Sequence, residues 1–370
     1  MNTKQYQGID ILKFILANLI IVLHCAPLSA YTYYGNLLLS NGIARMAVPL
    51  FFCISGYFFF SKIDRETLPE KMLWKYEKRN FGLYVVWTII YMPLIIQDFM
   101  TEKYTNTSFV MKLAIFVRRF LFIGSWTPLW FFIGTCVAVA LVYVLLKLKF
   151  SPNAILAISL IIYLSVGCLS NAYSMFGEIL INKYYWLSSL SKIYLLIFGD
   201  TKNGFVFGFF FVAMGMKLAF STKKEISLKR NLICLMASIG LLLAEVALMS
   251  KFNPRDYNMM ISLVPCTYFA FQLFLNLRMK ERILYKYLRQ LSILMYGMQG
   301  LFMQIQVGNS LQYYLFVLVA SLMSGCIILY LQKVNKERMD NMKPLNPIQK
   351  TVVGVQFLFV AFGATVLVPL

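Results

Sequence analysis

The chain has 370 residues, 60% of them hydrophobic and 14% charged, with 35 lysines and arginines against 15 acidic residues and a formal charge of +20. That composition excludes a water-soluble globular class and describes a polytopic membrane protein. The basic residues sit in short runs between apolar stretches, not on a sustained basic face with interleaved aromatics, which argues against nucleic acid as a partner.

Apolar runs near the roughly 20 residues needed to cross a hydrocarbon core recur along the whole chain. They fall at 8–28, 43–60, 81–97, 127–146, 152–170, 203–220, 231–250, 257–277, 290–306 and 311–332, and an eleventh closes the chain at 351–370. The expected fold class is therefore all-α. It is a polytopic transmembrane bundle of ten core helices plus one C-terminal apolar helix, with the lipid bilayer as its surroundings. Residues 1–340 form the main membrane domain and 341–370 an extra segment. The first run is long and followed by more of the same, which reads as a retained span and not a cleaved leader.

Most basic residues fall at the N-terminus and in the runs 61–80, 147–151, 221–230, 278–289 and 333–350, whereas 98–126, 171–202 and 251–256 hold few. The positive-inside bias then places the N-terminus in the cytoplasm. Residues 109–124 carry Lys112, Arg118 and Arg119 among apolar residues and read as an interfacial amphipathic helix or a short cover on the bundle. Tyr173, Tyr184, Tyr185, Trp186 and Tyr194 read mostly as interfacial aromatics. The seven cysteines (Cys25, Cys53, Cys136, Cys168, Cys234, Cys266 and Cys326) are singly spaced, which suits small core residues and neither a disulfide framework nor a metal set.

Ionisable residues inside apolar runs carry the functional signal, because each is costly in hydrocarbon. Asp10, Lys13 and His24, the chain's single histidine, lie in the first run and Arg45 opens the second. Asp10 and Lys13 have the (i, i+3) spacing of an ion pair. Lys13 and His24 return to within about 20° of one helix face, separated by roughly 16 Å. Arg45, on the returning segment, begins near the level of His24. The functional reading is a channel with a general base at one level and cationic anchoring at the other, since histidine titrates near working pH. The alternative is a structural histidine bonded to a neighbouring carbonyl.

Glu245 is the deepest acid and calls for a partner or a role. Asp256 reads as a site residue or a helix cap. Lys202 and Asn203 open a helix whose N-terminus suits an anion, with plain capping as the alternative. Trp130 reads as packing.

These residues carry a resemblance. The spacing Lys13…His24 resembles the first-helix signature of the acyltransferase-3 family of integral membrane acyltransferases, and RMAVPLFFCISGYFF (45–59) is similar to its second-helix signature. PLWFF (128–132), TKNGFVFGFFFVAMG (201–215) and LRQLSILMYGMQG (288–300) follow in the family's order. The resemblance spans residues 8 to about 332. It implies ten helices in a bacterial cytoplasmic membrane. It also implies transfer of an acyl group, commonly acetyl, from acyl-CoA to a hydroxyl of an envelope glycan or a small acceptor. His24 would be catalytic. Lys13, Arg45, Asp10, Glu245, Asp256, Lys202 and Asn203 would bind substrate or donor, without a metal or a permanently bound cofactor.

GDTKNG, Glu245 and DYNMM look most like a subgroup that includes the membrane half of vancomycin-resistance serine racemases. This implies, as the alternative, a carrier for a small amino acid such as serine. Where many members have YxxHP this chain reads YGMQG, with Gln299 in the histidine's place. Glutamine cannot shuttle a proton near neutrality, so an inactive member is a third reading. Residues 344–370 resemble the opening helix of a nucleobase–cation symporter of the uracil or xanthine type, which reads as an added helix, a fusion or a truncation.

Overall fold

The computed structural model describes residues 6–101, 107–221, 227–277 and 279–340. The segment 341–370, expected to form the eleventh helix, lies outside them. Among the described residues the chain is helical without strands. The helices are α1 (Gln7–Cys25), α2 (Tyr33–Ser40), α3 (Ala47–Phe60), α4 (Glu70–Phe99), α5 (Phe109–Arg118), α6 (Trp130–Lys147) and α7 (Pro152–Ile162). They continue with α8 (Ser174–Lys183), α9 (Tyr185–Phe198), α10 (Phe209–Phe220), α11 (Leu228–Met249), α12 (Leu263–Asn276), α13 (Ile283–Phe302) and α14 (Ser310–Asp340).

Among the described residues six helical stretches are long and apolar enough to cross a membrane: 7–25, 33–60, 70–99, 109–147, 228–252 and 310–334. Four shorter apolar helices lie at 152–168, 185–198, 204–220 and 263–276. Leu232, Ile233, Met236, Leu241 and Leu248 on α11, and Met323, Ile327 and Tyr330 on α14, are exposed. So much exposed apolar surface is untenable in water and suits contact with lipid. The chain is a multi-pass membrane protein.

α1 lies at the centre, flanked by α3, α12, α13 and α14. α3 and α10 pack most intimately, and glycines explain the approach. A Cβ on Gly56 would strike the Val212 backbone, and one on Gly215 the Cys53 carbonyl. Small residues at a helix crossing let backbones meet where no hydrophobic effect separates protein from lipid. Around this pair Phe52, Phe60, Tyr163, Phe210 and Phe211 are fully buried.

Several element limits differ from the sequence expectation. α1 stops at Cys25 because Ala26 turns left-handed (φ 47°) and Pro27 cannot extend the ladder. α4 starts at Glu70 and not 81, since the charged, helix-favouring run EKMLWKYEKRN extends it beyond the apolar span. α13 begins at Ile283, ahead of the expected 290. The region 171–202 forms two helices, α8 and α9. α5 has no buried residue and is tethered through its own cations and through Arg119, the residue that follows it. Lys112 donates to the Phe99 carbonyl (3.0 Å), Arg118 to the Leu196 carbonyl (2.8 Å), and Arg119 pairs with Asp98 (2.7 Å). Five cysteines are buried, Cys234 is half-buried and Cys326 is exposed.

Candidate functional site

A cavity of about 280 Å³ opens at the Cys25 end of α1. Its walls come from parts of the sequence far apart: His24 with Ile20 and Leu23, Arg45 with Val48, Thr127 and Trp130, Lys202, Asp256 with Asn258, and Tyr296. Four residues singled out in the sequence, His24, Arg45, Lys202 and Asp256, thus share one chamber.

His24 sits on the last turn of α1, one residue before the helix stops. It makes no hydrogen bond among the described residues, so the reading of a structural histidine bonded to a neighbouring carbonyl has no support in the geometry. Arg45 and Lys202 are the charges that act on its ring. Both ring nitrogens remain available to a ligand.

Arg45 lies on the short 3₁₀ turn Ile43–Met46 that leads into α3. Its guanidinium bridges two amides. One terminal nitrogen donates to Asn41 Oδ1 (3.0 Å) and the other to Asn258 Oδ1. The second nitrogen also lies 3.8 Å from Asp256 Oδ1. Arg45 Nε is buried without a protein partner. Lys202 Nζ lies 5.7 Å above the Trp130 ring, a cation–π contact, and forms no salt bridge among the described residues. Trp130 therefore belongs to the chamber wall and not to packing alone.

Asp256 and Asn258 lie on an irregular segment. The expectation of a helix from 257 is corrected here, because α12 begins at Leu263. Asp256 accepts from the backbone N–H and side-chain amide of Asn258, so it caps a turn and not a helix. Glu245 on α11 holds this segment in place. Its carboxylate accepts from Tyr173 Oη (2.7 Å), Ile261 N (2.7 Å) and Ser262 N (2.8 Å). Tyr163 Oη, donating to the Met260 carbonyl (2.8 Å), pins the same stretch. Glu245 does not line the chamber.

Asn203 is likewise placed behind it. Its Oδ1 accepts from Phe205 N and Val206 N (2.9 and 3.1 Å), and its Nδ2 donates to Tyr194 Oη and the Asp200 carbonyl. This is capping of the π-helical turn that precedes α10, with no valence left for a ligand. Gln299 is fully buried one turn from Tyr296, its Nε2 donating to the Tyr296 carbonyl and its Oε1 without a partner.

Asp10 and Lys13 lie at the other end of α1, and the structure does not bring them into the chamber. The expected Asp10–Lys13 ion pair is not the one formed. Asp10 pairs with Arg289 of α13 at 3.8 Å, while Lys13 Nζ lies 5.2 Å over the Phe58 ring. The (i, i+3) offset turns Lys13 about 60° away from the face Asp10 presents to α13. Asp10, Arg289, Arg79 and Lys62 all act electrostatically on Lys13, so this end is a basic cluster around one carboxylate.

Thr127, Trp130, Asn258 and Tyr296 complete the chamber; the last three lie in the motifs PLWFF, DYNMM and YGMQG, but as neutral residues in or beside apolar runs none was singled out as a site residue.

A family profile described as an acyltransferase domain matches residues 6–368. The curated relatives include an amino-acid racemase of Enterococcus faecalis, 27% identical over 285 residues, covering 75% of this chain and 37% of the relative. A serine/alanine racemase of Enterococcus gallinarum is 26% identical over 359 residues, covering 94% and 48%. A second amino-acid racemase of Enterococcus faecalis is 23% identical over 344 residues, covering 91% and 46%. The chain thus spans less than half the length of these relatives. No solved structure matches it.

Proposed function

The chain belongs to the acyltransferase-3 family, and on that premise we propose that it moves an acyl group, acetyl in the simplest case, from acyl-CoA to a hydroxyl of an envelope glycan or small acceptor, with His24 as general base. The observation that carries this reading is the unpartnered His24 ring in a chamber with two cations, Arg45 and Lys202.

In the proposed step a ring nitrogen of His24 takes the proton of the acceptor hydroxyl as its oxygen attacks the thioester carbonyl. Negative charge gathers on the carbonyl oxygen, where Arg45 and Lys202 favour it. The C–S bond breaks, the new ester forms, and the departing sulfur takes the proton from His24. The basic cluster of Lys13, Lys62, Arg79 and Arg289 at the opposite end of α1 suits the donor's phosphates. This orientation puts the N-terminus in the cytoplasm and the chamber toward the outer side of a bacterial cytoplasmic membrane. The three hydrogen bonds to Glu245 support a positioning role for it, and Asn203 shapes the turn next to Lys202.

A second reading rests on the relatives' names and on Asp256. A chamber that pairs cations with a carboxylate also complements a zwitterion, so a carrier for a small amino acid such as serine uses the same groups. Inverted membrane vesicles holding the parent or His24→Ala, supplied with radiolabelled acetyl-CoA, separate the two. Transfer of label to lipid-linked or glycan material should fall roughly 10²–10⁴-fold in the variant. Background label in both, together with serine accumulation in right-side-out vesicles, would replace transfer by carriage.

A further inference from the structure

α4 begins about three turns ahead of its apolar span. Those turns carry the cations Lys71, Lys75, Lys78 and Arg79 and the acids Glu70 and Glu77. The two signs are sorted by face. At 100° per residue Lys71, Lys75, Lys78 and Gly82 fall within about 60° of one another, whereas Glu70 and Glu77 lie about 120° round from the middle of that arc.

The contacts agree with this division. Glu70 pairs with Lys147 and Glu77 meets Cys136, both on α6. Arg79 lies 5.6 Å over the Tyr76 ring and is among the charges acting on Lys13. Lys71, Lys75 and Lys78 are exposed and have no hydrogen bond or ion pair among the described residues. Further along α4 the exposed residues Val86, Ile89 and Ile96 continue their side of the helix, so the lysine face runs straight into the lipid face. Trp74, 72% exposed, and Phe81 stand seven residues apart along its edge. Gly82 leaves an opening, since a Cβ there would meet nothing within 4 Å. Lysines at the ends of spans set topology wherever they stand. Topology alone gives no reason for three of them to face lipid while both carboxylates turn to the protein.

We propose that this face of α4 binds an anionic phospholipid from the leaflet at the Glu70 end. Its phosphate lies between Lys75 and Lys78, with Lys71 beyond them, and an acyl chain runs past Gly82 onto Val86 and Ile89. The site is independent of the reaction in the His24 chamber. Lysine stems cover apolar surface while their ammonium groups reach head-group level, where they attract lipid phosphates. Trp74 stands beside them, as aromatics do at that depth. A soluble anion would use the lysines and leave the adjoining apolar face unmatched, so the lipid fits the whole surface.

The test uses the protein in phosphatidylcholine vesicles, titrated with brominated phosphatidylglycerol or brominated phosphatidylcholine. Bromine on an acyl chain quenches tryptophan at contact. The part of the quenching that Trp74→Phe removes reports this face among the chain's five tryptophans. A lysine near a charged lipid is worth about fivefold in affinity, so the parent should favour phosphatidylglycerol at least about 25-fold. Lys75→Gln/Lys78→Gln should bring the two lipids to within about fivefold, the share of Lys71. Lys229→Gln/Arg230→Gln, which removes two exposed cations at the start of α11, should leave the preference unchanged. Glycerophosphoglycerol, the same head group without acyl chains, should not displace the lipid even in large excess. Equal affinity for the two lipids, or a preference that survives Lys75→Gln/Lys78→Gln, overturns the proposal. An equal loss in the α11 variant overturns it in favour of diffuse charge, and displacement by glycerophosphoglycerol in favour of a soluble anion.

Discussion

Glu245→Ala is the most informative single change away from the chamber wall. It leaves three donors, Tyr173 Oη and the N–H groups of Ile261 and Ser262, without an acceptor in the protein interior. Each hydrogen bond to a charged group contributes about 1.5–3 kcal/mol, and these do not add when they share one carboxylate. A buried donor left without an acceptor costs about 1–3 kcal/mol, so for three such donors the expected loss is roughly 3–5 kcal/mol. Glu245→Gln, which keeps the shape and one acceptor oxygen, should lose about half as much. The assay is the unfolding midpoint of the purified protein in nanodiscs, paired with acyl-transfer kinetics. The displaced segment carries Asp256 and Asn258, and Asn258 holds Arg45, so kcat should fall together with stability. A cycle with Tyr173→Phe should give a coupling of about 1–3 kcal/mol. An unchanged midpoint in Glu245→Ala, with a raised KM for acceptor, would refute the positioning role and make Glu245 a substrate ligand.

Arg45→Lys keeps the charge but not the fork that reaches Asn41 and Asn258 together, so kcat should fall by about tenfold or more, with little rescue relative to Arg45→Ala. Gly56→Ala forces a Cβ onto the Val212 backbone and should cost about 1–3 kcal/mol in unfolding, whereas Gly82→Ala, where a Cβ meets nothing within 4 Å, should be neutral or stabilising by up to about 1 kcal/mol. Lys13→Met should raise the KM for acetyl-CoA but not for S-acetylpantetheine, which lacks the nucleotide phosphates; equal effects on both donors would remove Lys13 from phosphate binding.

The helical membrane class was legible from composition and run length, and the central part of the site was legible from charge. His24 and Arg45 stood out because ionisable groups are rare in apolar runs, and the reversal of direction between their helices placed them at one level. The pairing of Asp10 was not legible. Local spacing pointed to Lys13, but Arg289 enters from α13, some 280 residues away in sequence, and no local rule sees that crossing. The 257–277 run read as one helix because its apolar content is continuous. The carboxylate of Glu245, from a preceding helix, takes the N–H groups of Ile261 and Ser262 and holds the helix start back to Leu263. Asn203 drew notice as an anion site, yet its Oδ1 caps a helical turn and its Nδ2 is spent on Tyr194 and the Asp200 carbonyl. Thr127 carries no sequence mark, and Tyr296, although it opens the YGMQG motif, reads as ordinary core until a cavity is seen beside it.

Along α1 the ionisable groups form two clusters, at Asp10 and Lys13 and at His24, and not the one channel read from their spacing. Lys13 and His24 share a face about 16 Å apart, but Leu16 and Ile20 between them are 1% and 2% exposed, and Lys13 is turned onto Phe58. An apolar section therefore separates the basic cluster from the chamber. For a carrier of a zwitterion that section is a barrier to be opened and closed in each cycle, and the basic cluster beyond it has no partner in the transported molecule. For an acyltransferase the same division matches a donor with phosphates at one end and a thioester at the other, joined by a long, mostly uncharged arm. The barrier then has a use, because it lets the acyl end reach His24 while keeping water and ions from following. Lys13 is the residue on which the two readings part. Transfer requires its charge to matter for acyl-CoA and not for serine, and carriage requires it to matter for neither.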